Sequence, residues 1–135
     1  MIKLIDILEN KILVPRRSPE ERSKNYQIAL QKKIQQYMKD GGKGDLDLSD
    51  TPITSLPNGL KVGGDLNLRN TKITSLPNGL KVGGYLYLRN TPITSLPNDL
   101  EVGGSLYLKY THISKKYTEE QIKQMCPGVK GDIFI

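Results

Sequence analysis

Cysteine and histidine each occur once in the 135 residues. The single thiol, Cys126, cannot form an internal disulfide, so no covalent staple holds the fold, and the chain suits a reducing compartment. The single histidine, His112, has no identifiable cysteine or second histidine with which to share a metal or a nucleophilic role. No zinc spacing, phosphate loop or nucleophile elbow is present. Aromatic residues make up 6% of the chain and hydrophobic residues 36%, too few large rings for an ordinary globular core. Burial has to come from regularly placed aliphatic side chains. No segment approaches the roughly 20 apolar residues of a membrane-spanning helix, so no membrane partner is expected. Residues 1–14 are apolar in places but carry Asp6, Glu9 and Asn10, with no small-residue cleavage site after them, so a secretory signal is not expected. These absences predict one folded domain in the cytoplasm, without catalysis, cofactor or metal.

Repetition is what the sequence has in quantity. Residues 44–63, 64–83 and 84–103 read GDLDLSDTPITSLPNGLKVG, GDLNLRNTKITSLPNGLKVG and GYLYLRNTPITSLPNDLEVG, three near-copies of one 20-residue unit. A fourth starts as GSLYLKYTHIS at Gly104 and then departs, running through Lys115 to Val129. Gly131, Asp132, Ile133, Phe134 and Ile135 restore the glycine and alternating-aliphatic start. A fixed period of this length marks a solenoid, in which no unit buries its apolar side alone and stacked neighbours supply the core. Five strand-like rungs are predicted.

Within a unit, Leu66 and Leu68 alternate with polar residues as in a half-buried strand. Ile73, Leu76, Leu80 and Val82 follow at spacings that fit neither strand nor helix and predict coil. Turns are expected at Leu76-Pro77-Asn78-Gly79 and at Gly83-Gly84, since proline fixes one backbone angle and glycine permits positive ones. Leu66-Asn67-Leu68, Thr71, Ile73, Leu76 and Pro77 resemble the leucine-rich-repeat family in its short 20-residue form found in bacteria and phages, in register over residues 44–113. The resemblance implies an α/β repeat solenoid with a parallel β-sheet. It implies no activity, because such repeats carry many unrelated functions. A phage origin would place the chain in the host cytoplasm. Two features depart from the family. Thr51, Thr71, Thr91 and Thr111 replace its usual asparagine, whose side chain bonds to backbone within the coil, and Val62, Gly63 and Gly64 replace its usual leucine spacing on the returning side.

The expected organisation is an N-terminal helical cap over 1–43, repeats over 44–113, and a C-terminal cap helix with a final strand over 114–135. Ser18-Pro19-Glu20-Glu21 reads as a helix start with a capping box. Tyr26, Ala29, Leu30, Ile34, Tyr37 and Met38 recur at helical spacing to about Asp40, where Gly41-Gly42 ends the helix, and this stripe is expected to cover the first rung. Ile2, Leu4, Ile5 and Leu8 predict a shorter helix within Met1 to Glu9. Thr118 is expected to cap a helix that stops near Cys126-Pro127-Gly128, with Cys126 a buried small side chain. The last strand, ending at Ile135, leaves an edge that a second copy could pair with, which predicts a monomer or a weak homo-oligomer.

Side chains between the paired leucines project from the sheet and change systematically along the stack. Asp47, Asn67, Tyr87, Tyr107 and Phe134 form one column, and Asp45, Asp65, Tyr85 and Ser105 a second. Ser49, Arg69, Arg89 and Lys109 form a third, with Asp50, Asn70, Asn90 and Tyr110 beside it. The face runs from acidic to tyrosine-rich and basic. Tyrosine and arginine are enriched at binding hot spots, which predicts a protein partner held by Arg69, Tyr85, Tyr87, Arg89, Tyr107, Lys109, Tyr110 and Phe134. The competing account is that the tyrosines only cover the sheet by cross-strand packing. Asp45, Asp47, Asp50 and Asp65 lack the closing-loop spacing of a calcium site. His112 falls at the turn position of Pro52, Lys72 and Pro92.

The net charge of +6 is placed unevenly: residues 1–43 carry ten basic and five acidic groups. Arg16, Arg17, Arg22, Lys24, Lys32 and Lys33 therefore offer an alternative function, salt-dependent and largely sequence-independent nucleic-acid binding, against the simpler account of a solvated cap. A third alternative is a structural subunit that self-associates through Ile133 to Ile135.

Overall fold

The structure is a computed structural model that describes residues 19–135. The expected helix within Met1 to Glu9 and the Ser18 cap lie outside the described residues. Helix α1 spans Pro19–Lys39, followed by β1 Leu46–Asp47, β2 Lys61–Val62, β3 Leu66–Asn67, β4 Lys81–Val82, β5 Leu86–Tyr87, β6 Glu101–Val102 and β7 Leu106–Tyr107. Two short helices, α2 His112–Lys116 and α3 Glu119–Met125, precede β8 Gly128–Val129 and β9 Ile133–Phe134. Odd-numbered strands form a five-stranded sheet in the order β1-β3-β5-β7-β9, even-numbered strands a four-stranded sheet in the order β2-β4-β6-β8, and every pairing is parallel. The chain is a repeat solenoid in which each circuit passes from one sheet to the other.

Register makes the core. Leu46, Leu66, Leu86, Leu106 and Ile133 pair in one ladder, and Val62, Val82, Val102 and Val129 in the other. With Leu68, Ile73 and Leu80 and their counterparts they are buried in one continuous cluster, each such side chain contributing about 1.5–3 kcal/mol of transfer free energy. Backbone bonds tie successive circuits: the amides of Leu46, Leu66, Leu86 and Leu106 donate to the carbonyls of Asp65, Tyr85, Ser105 and Asp132 at 2.9, 2.9, 3.0 and 2.9 Å. The threonine hydroxyls at 51, 71, 91 and 111 donate to the carbonyls of Leu48, Leu68, Leu88 and Leu108 at 2.6–2.8 Å. Threonine thus supplies a side-chain-to-backbone bond inside the bend that follows each rung.

The returning side differs from the expected coil, because it forms the second sheet. A two-residue strand such as Lys61–Val62 is too short for alternation to register in a sequence. The glycine pairs differ as well. Gly59 and Gly79 take the expected positive φ, +76° each, but Gly83 and Gly84 do not. Their role is close approach: the Gly84 amide donates to the Gly64 carbonyl at 2.9 Å, and a Cβ on Gly83 would collide with the Gly63 carbonyl oxygen.

At the first rung, Leu30 and Ile34 of α1 are buried and Tyr37 and Met38 pack on the core. The Tyr37 hydroxyl donates to the carbonyls of Gly42 and Gly44, at 2.9 and 2.7 Å. Tyr26 and Ala29, expected in the stripe, are exposed, since the helix meets apolar surface only from Leu30 onward. At the other end Ser105 and Asp132 are bonded across 27 residues, where Asp45 and Asp65 are bonded across 20. This longer circuit carries α2 and α3, each closed by a capping box, Thr111 with Ser114 and Thr118 with Gln121. His112 therefore opens a helix instead of standing in a turn. One local reason is the position of Pro97 in the preceding unit, which is Tyr117 here: the Tyr117 amide donates to the Ile113 carbonyl, a bond that proline could not make. No helix among the described residues is long and apolar enough to cross a membrane.

Gly83→Ala and Gly83→Asn are both expected to lower the melting temperature sharply, because the clash is with backbone. Gly59→Asn is expected to be tolerated, because its space is open and asparagine accepts a positive φ. Thermal unfolding of the three variants checks this, and equal losses would contradict it. Cys126 is fully buried, and burial pushes its thiol from the ordinary 9.0 to about 11. Ellman's reagent should label it only after denaturation. The unfolded thiol ionises first, so its contribution to stability is complete below pH 9 and is lost as pH rises toward 11. Rapid labelling of the folded protein would place the thiol at the surface.

Candidate functional site

The outer side of the five-stranded sheet brings the predicted residues together. Parallel strands in register stand about 4.7–4.9 Å apart, which is also a ring-stacking distance, so aromatic residues in one column must stack. Tyr87 and Tyr107 have centroids 4.9 Å apart at 17°, and Tyr107 and Phe134 4.8 Å apart at 13°. Tyr85, in the neighbouring column, stands edge-on to Tyr87 and Tyr107 at 6.2 and 6.1 Å. Pairs of this kind contribute about 0.5–1.5 kcal/mol each beyond their burial. Partial burial raises the Tyr87 phenol above its ordinary 10.0. Asp65, Tyr107 and Tyr85 add to the rise and Arg69 opposes it.

Two residues further along each rung lie the cations Arg69, Arg89 and Lys109, all exposed. Arg69 is oriented locally: its backbone N–H and its Nε both donate to Asn67 Oδ1 at 3.2 Å. One rung earlier Asp47 accepts from the Ser49 hydroxyl at 2.7 Å and the Ser49 amide at 3.0 Å. These bonds, the hydroxyl's first, hold the Asp47 carboxyl below its ordinary value. Tyr87 and Tyr107 offer no such acceptor at that position. Arg89 and Lys109 turn instead to the ring of Tyr110, their charged groups 5.1 and 5.5 Å from its centroid.

The fourth column closes the site. Asp50, Asn70, Asn90 and Tyr110 all have left-handed backbones, φ 59°, 58°, 57° and 62°. Aspartate and asparagine take this conformation readily, and here they form a ladder: Asn70 Nδ2 donates to Asp50 Oδ1 at 2.7 Å and Asn90 Nδ2 to Asn70 Oδ1 at 2.8 Å. Tyrosine at 110 ends the ladder and holds the same conformation at a cost of about 1–2 kcal/mol. Arg69, Asn70, Arg89, Asn90 and Tyr110 line a shallow pocket of about 380 Å³. The sequence reading placed Asn70 and Asn90 beside the cations but not in the site. The signal available was their position at a turn that needs a positive φ. No carboxylate lies within ion-pairing distance of Arg69, Arg89 or Lys109 among the described residues, whereas on the other sheet Lys81 pairs with Glu101 at 3.5 Å.

The carboxylates of the first rungs serve as structural acceptors. Asp45 Oδ1 accepts from the Asp65 amide at 2.7 Å and Asp65 Oδ1 from the Tyr85 amide at 2.8 Å, linking successive circuits. Among the described residues no group of three or more His, Cys, Asp or Glu is placed to hold a metal ion. His112 is exposed.

The basic residues of α1 lie at the other end of the stack. Arg22, Lys24, Lys32 and Lys33 are exposed, and Lys33 Nζ donates to the Asp47 carbonyl at 3.2 Å. Lys24 and Lys32 border a groove of about 550 Å³ whose other helical residues are Gln27, Ile28, Gln31 and Gln35, so glutamines dilute the charge. Arg16 and Arg17 lie outside the described residues. No protein-family model, curated protein or solved structure matches this chain.

Proposed function

We propose that the chain is a non-enzymatic protein-recognition module of the leucine-rich-repeat kind, acting in the cytoplasm and holding the Tyr87 and Arg89 face against one protein partner. The observation that carries this reading is the difference between rungs. Asp47 and Asn67 occupy the same column as Tyr87, Tyr107 and Phe134, in the same register and with the same ladder bonds. The sheet therefore forms without rings in that column, and this supports a role for them beyond covering it. Rings that stack on one another lose little further entropy on binding, and arginine adds directional bonds, the combination found where interfaces concentrate their energy. No observation on α1 favours nucleic acid in the same way. The backbone edge of β9 is compatible with weak pairing of two copies alongside this function.

The test is affinity capture from the native host lysate with wild type and a Tyr87→Ser/Arg89→Glu variant, each with and without nuclease, read by mass spectrometry. The variant is expected to fold normally, as judged by circular dichroism, and to lose a protein that wild type retains after nuclease treatment. Capture that survives the variant but vanishes with nuclease would transfer the function to the basic helix.

A further inference from the structure

Resting on the recognition reading above, we infer that the pocket formed by Arg69, Arg89 and Tyr110 receives an acidic side chain of an extended peptide segment in the partner, whose apolar residue two positions away lies over Tyr87 and Tyr107. Three observations meet here. The first is charge: Arg69 and Arg89, from adjacent rungs, line one pocket, the Lys109 ammonium lies over the Tyr110 ring beside it, and no carboxylate stands within ion-pairing distance of the three among the described residues. Two guanidinium groups lining one pocket suit the oxygens of a carboxylate, and Arg69 is already oriented by Asn67 and Arg89 by the ring of Tyr110. Asn70 and Asn90 each spend one amide N–H on the ladder and keep a second for the pocket.

The second observation is spacing. The aromatic and cationic columns are two residues apart on the same side of each rung, about 6.6–6.8 Å in an extended strand. Side chains at i and i+2 of a bound extended peptide have that same separation. A peptide lying along the rungs therefore matches both columns with an apolar–any–acidic pattern. A peptide running across the rungs would advance about 3.3 Å per residue against a spacing of about 4.8 Å and lose register.

The third observation separates a peptide from single-stranded nucleic acid, which also combines aromatics with cations. Bases need open ring faces. Tyr107 has a ring on each face, one face of Tyr87 is covered by Tyr107, and Arg89 and Lys109 lie over the ring of Tyr110. Within the column Tyr107 has no open face, and a base would be limited to the outer face of Phe134 or the side of Tyr87 away from Tyr107, so the column presents mainly ring edges and phenol hydroxyls.

The experiment pans the full-length chain against a library of short random linear peptides and measures the enriched sequences by fluorescence anisotropy. The expected peptides share the apolar–any–acidic pattern and lose about tenfold or more in affinity when the acidic residue becomes its amide, or when the protein carries Arg69→Gln/Arg89→Gln. Tyr110→Asn is expected to melt no lower than wild type yet to bind the same peptides about fivefold more weakly or worse. That split excludes a general loss of structure. Enriched peptides without acidic residues, unaffected by the arginine variant but lost with Tyr87→Ser, would overturn the anionic pocket while leaving the recognition face standing. No enrichment above the Tyr87→Ser control, or tighter binding to a thymidine oligonucleotide than to any peptide, would overturn both.

Discussion

Everything in this molecule depends on one constraint: residues twenty apart are held in parallel register, so that each side chain of one circuit stands directly above its counterpart in the next. Leucine then meets leucine inside, and the core needs no large rings. Asparagine meets asparagine outside, and the amide ladder from Asp50 to Asn90 follows from the same geometry. Tyrosine meets tyrosine at the stacking distance without any further adjustment. The constraint also has a steric demand. The inter-circuit bond from Gly84 to Gly64, and the contact of Gly83 with the Gly63 carbonyl, leave no room for a Cβ, which is why the returning side carries paired glycines where the backbones are closest.

The parts of the fold that were legible in the sequence are those that the constraint repeats. Twenty-residue identity gives the solenoid, the paired leucines give the rungs, and their register gives the outer columns, including Phe134 after a longer fourth circuit. The illegible parts are those set by a single local event. The second sheet consists of two-residue strands whose pairing comes from the circuit's closure, so Lys61 and Val62 carry no periodic signal of their own. Helix α2 ends where Tyr117 replaces the proline of the earlier units and supplies an amide to the Ile113 carbonyl, a change of absence at one position of the repeat. Asn70 and Asn90 were visible as residues, but their membership of the pocket depends on the left-handed backbone that aims them, which asparagine at a turn permits without dictating.

A stack of near-copies also carries its own control, because a residue can be compared with its counterpart one rung away in almost the same surroundings. Asp45 and Asp65 pass this comparison as structural groups, each accepting an amide of the next circuit. Ser49 and Arg69 pass it too, each donating its amide and a side-chain group to the residue two before it. The pattern then breaks at Tyr87, where the acceptor is replaced by a ring and Arg89 leaves the strand to lie over Tyr110. The acid-to-aromatic gradient is thus a change in how the cations are held: at the second rung by a side-chain acceptor, at the third and fourth by a ring.

Tyr110 is where the comparison is sharpest. The fold itself has no need of a ring there, since Asn90 occupies the equivalent place one rung earlier with the same left-handed backbone. The strain of tyrosine in that conformation costs about 1–2 kcal/mol. Two exposed cation–ring contacts return about 0.5–1 kcal/mol each, so the two effects roughly cancel. An asparagine at 110 would avoid most of the strain and extend the amide ladder by a bond contributing about 0.5–1.5 kcal/mol. Stability alone therefore favours asparagine or is indifferent. A tyrosine that breaks the local rule without a net gain in stability, beside two arginines with no carboxylate within ion-pairing distance among the described residues, is the pattern expected where a side chain answers to something outside the chain.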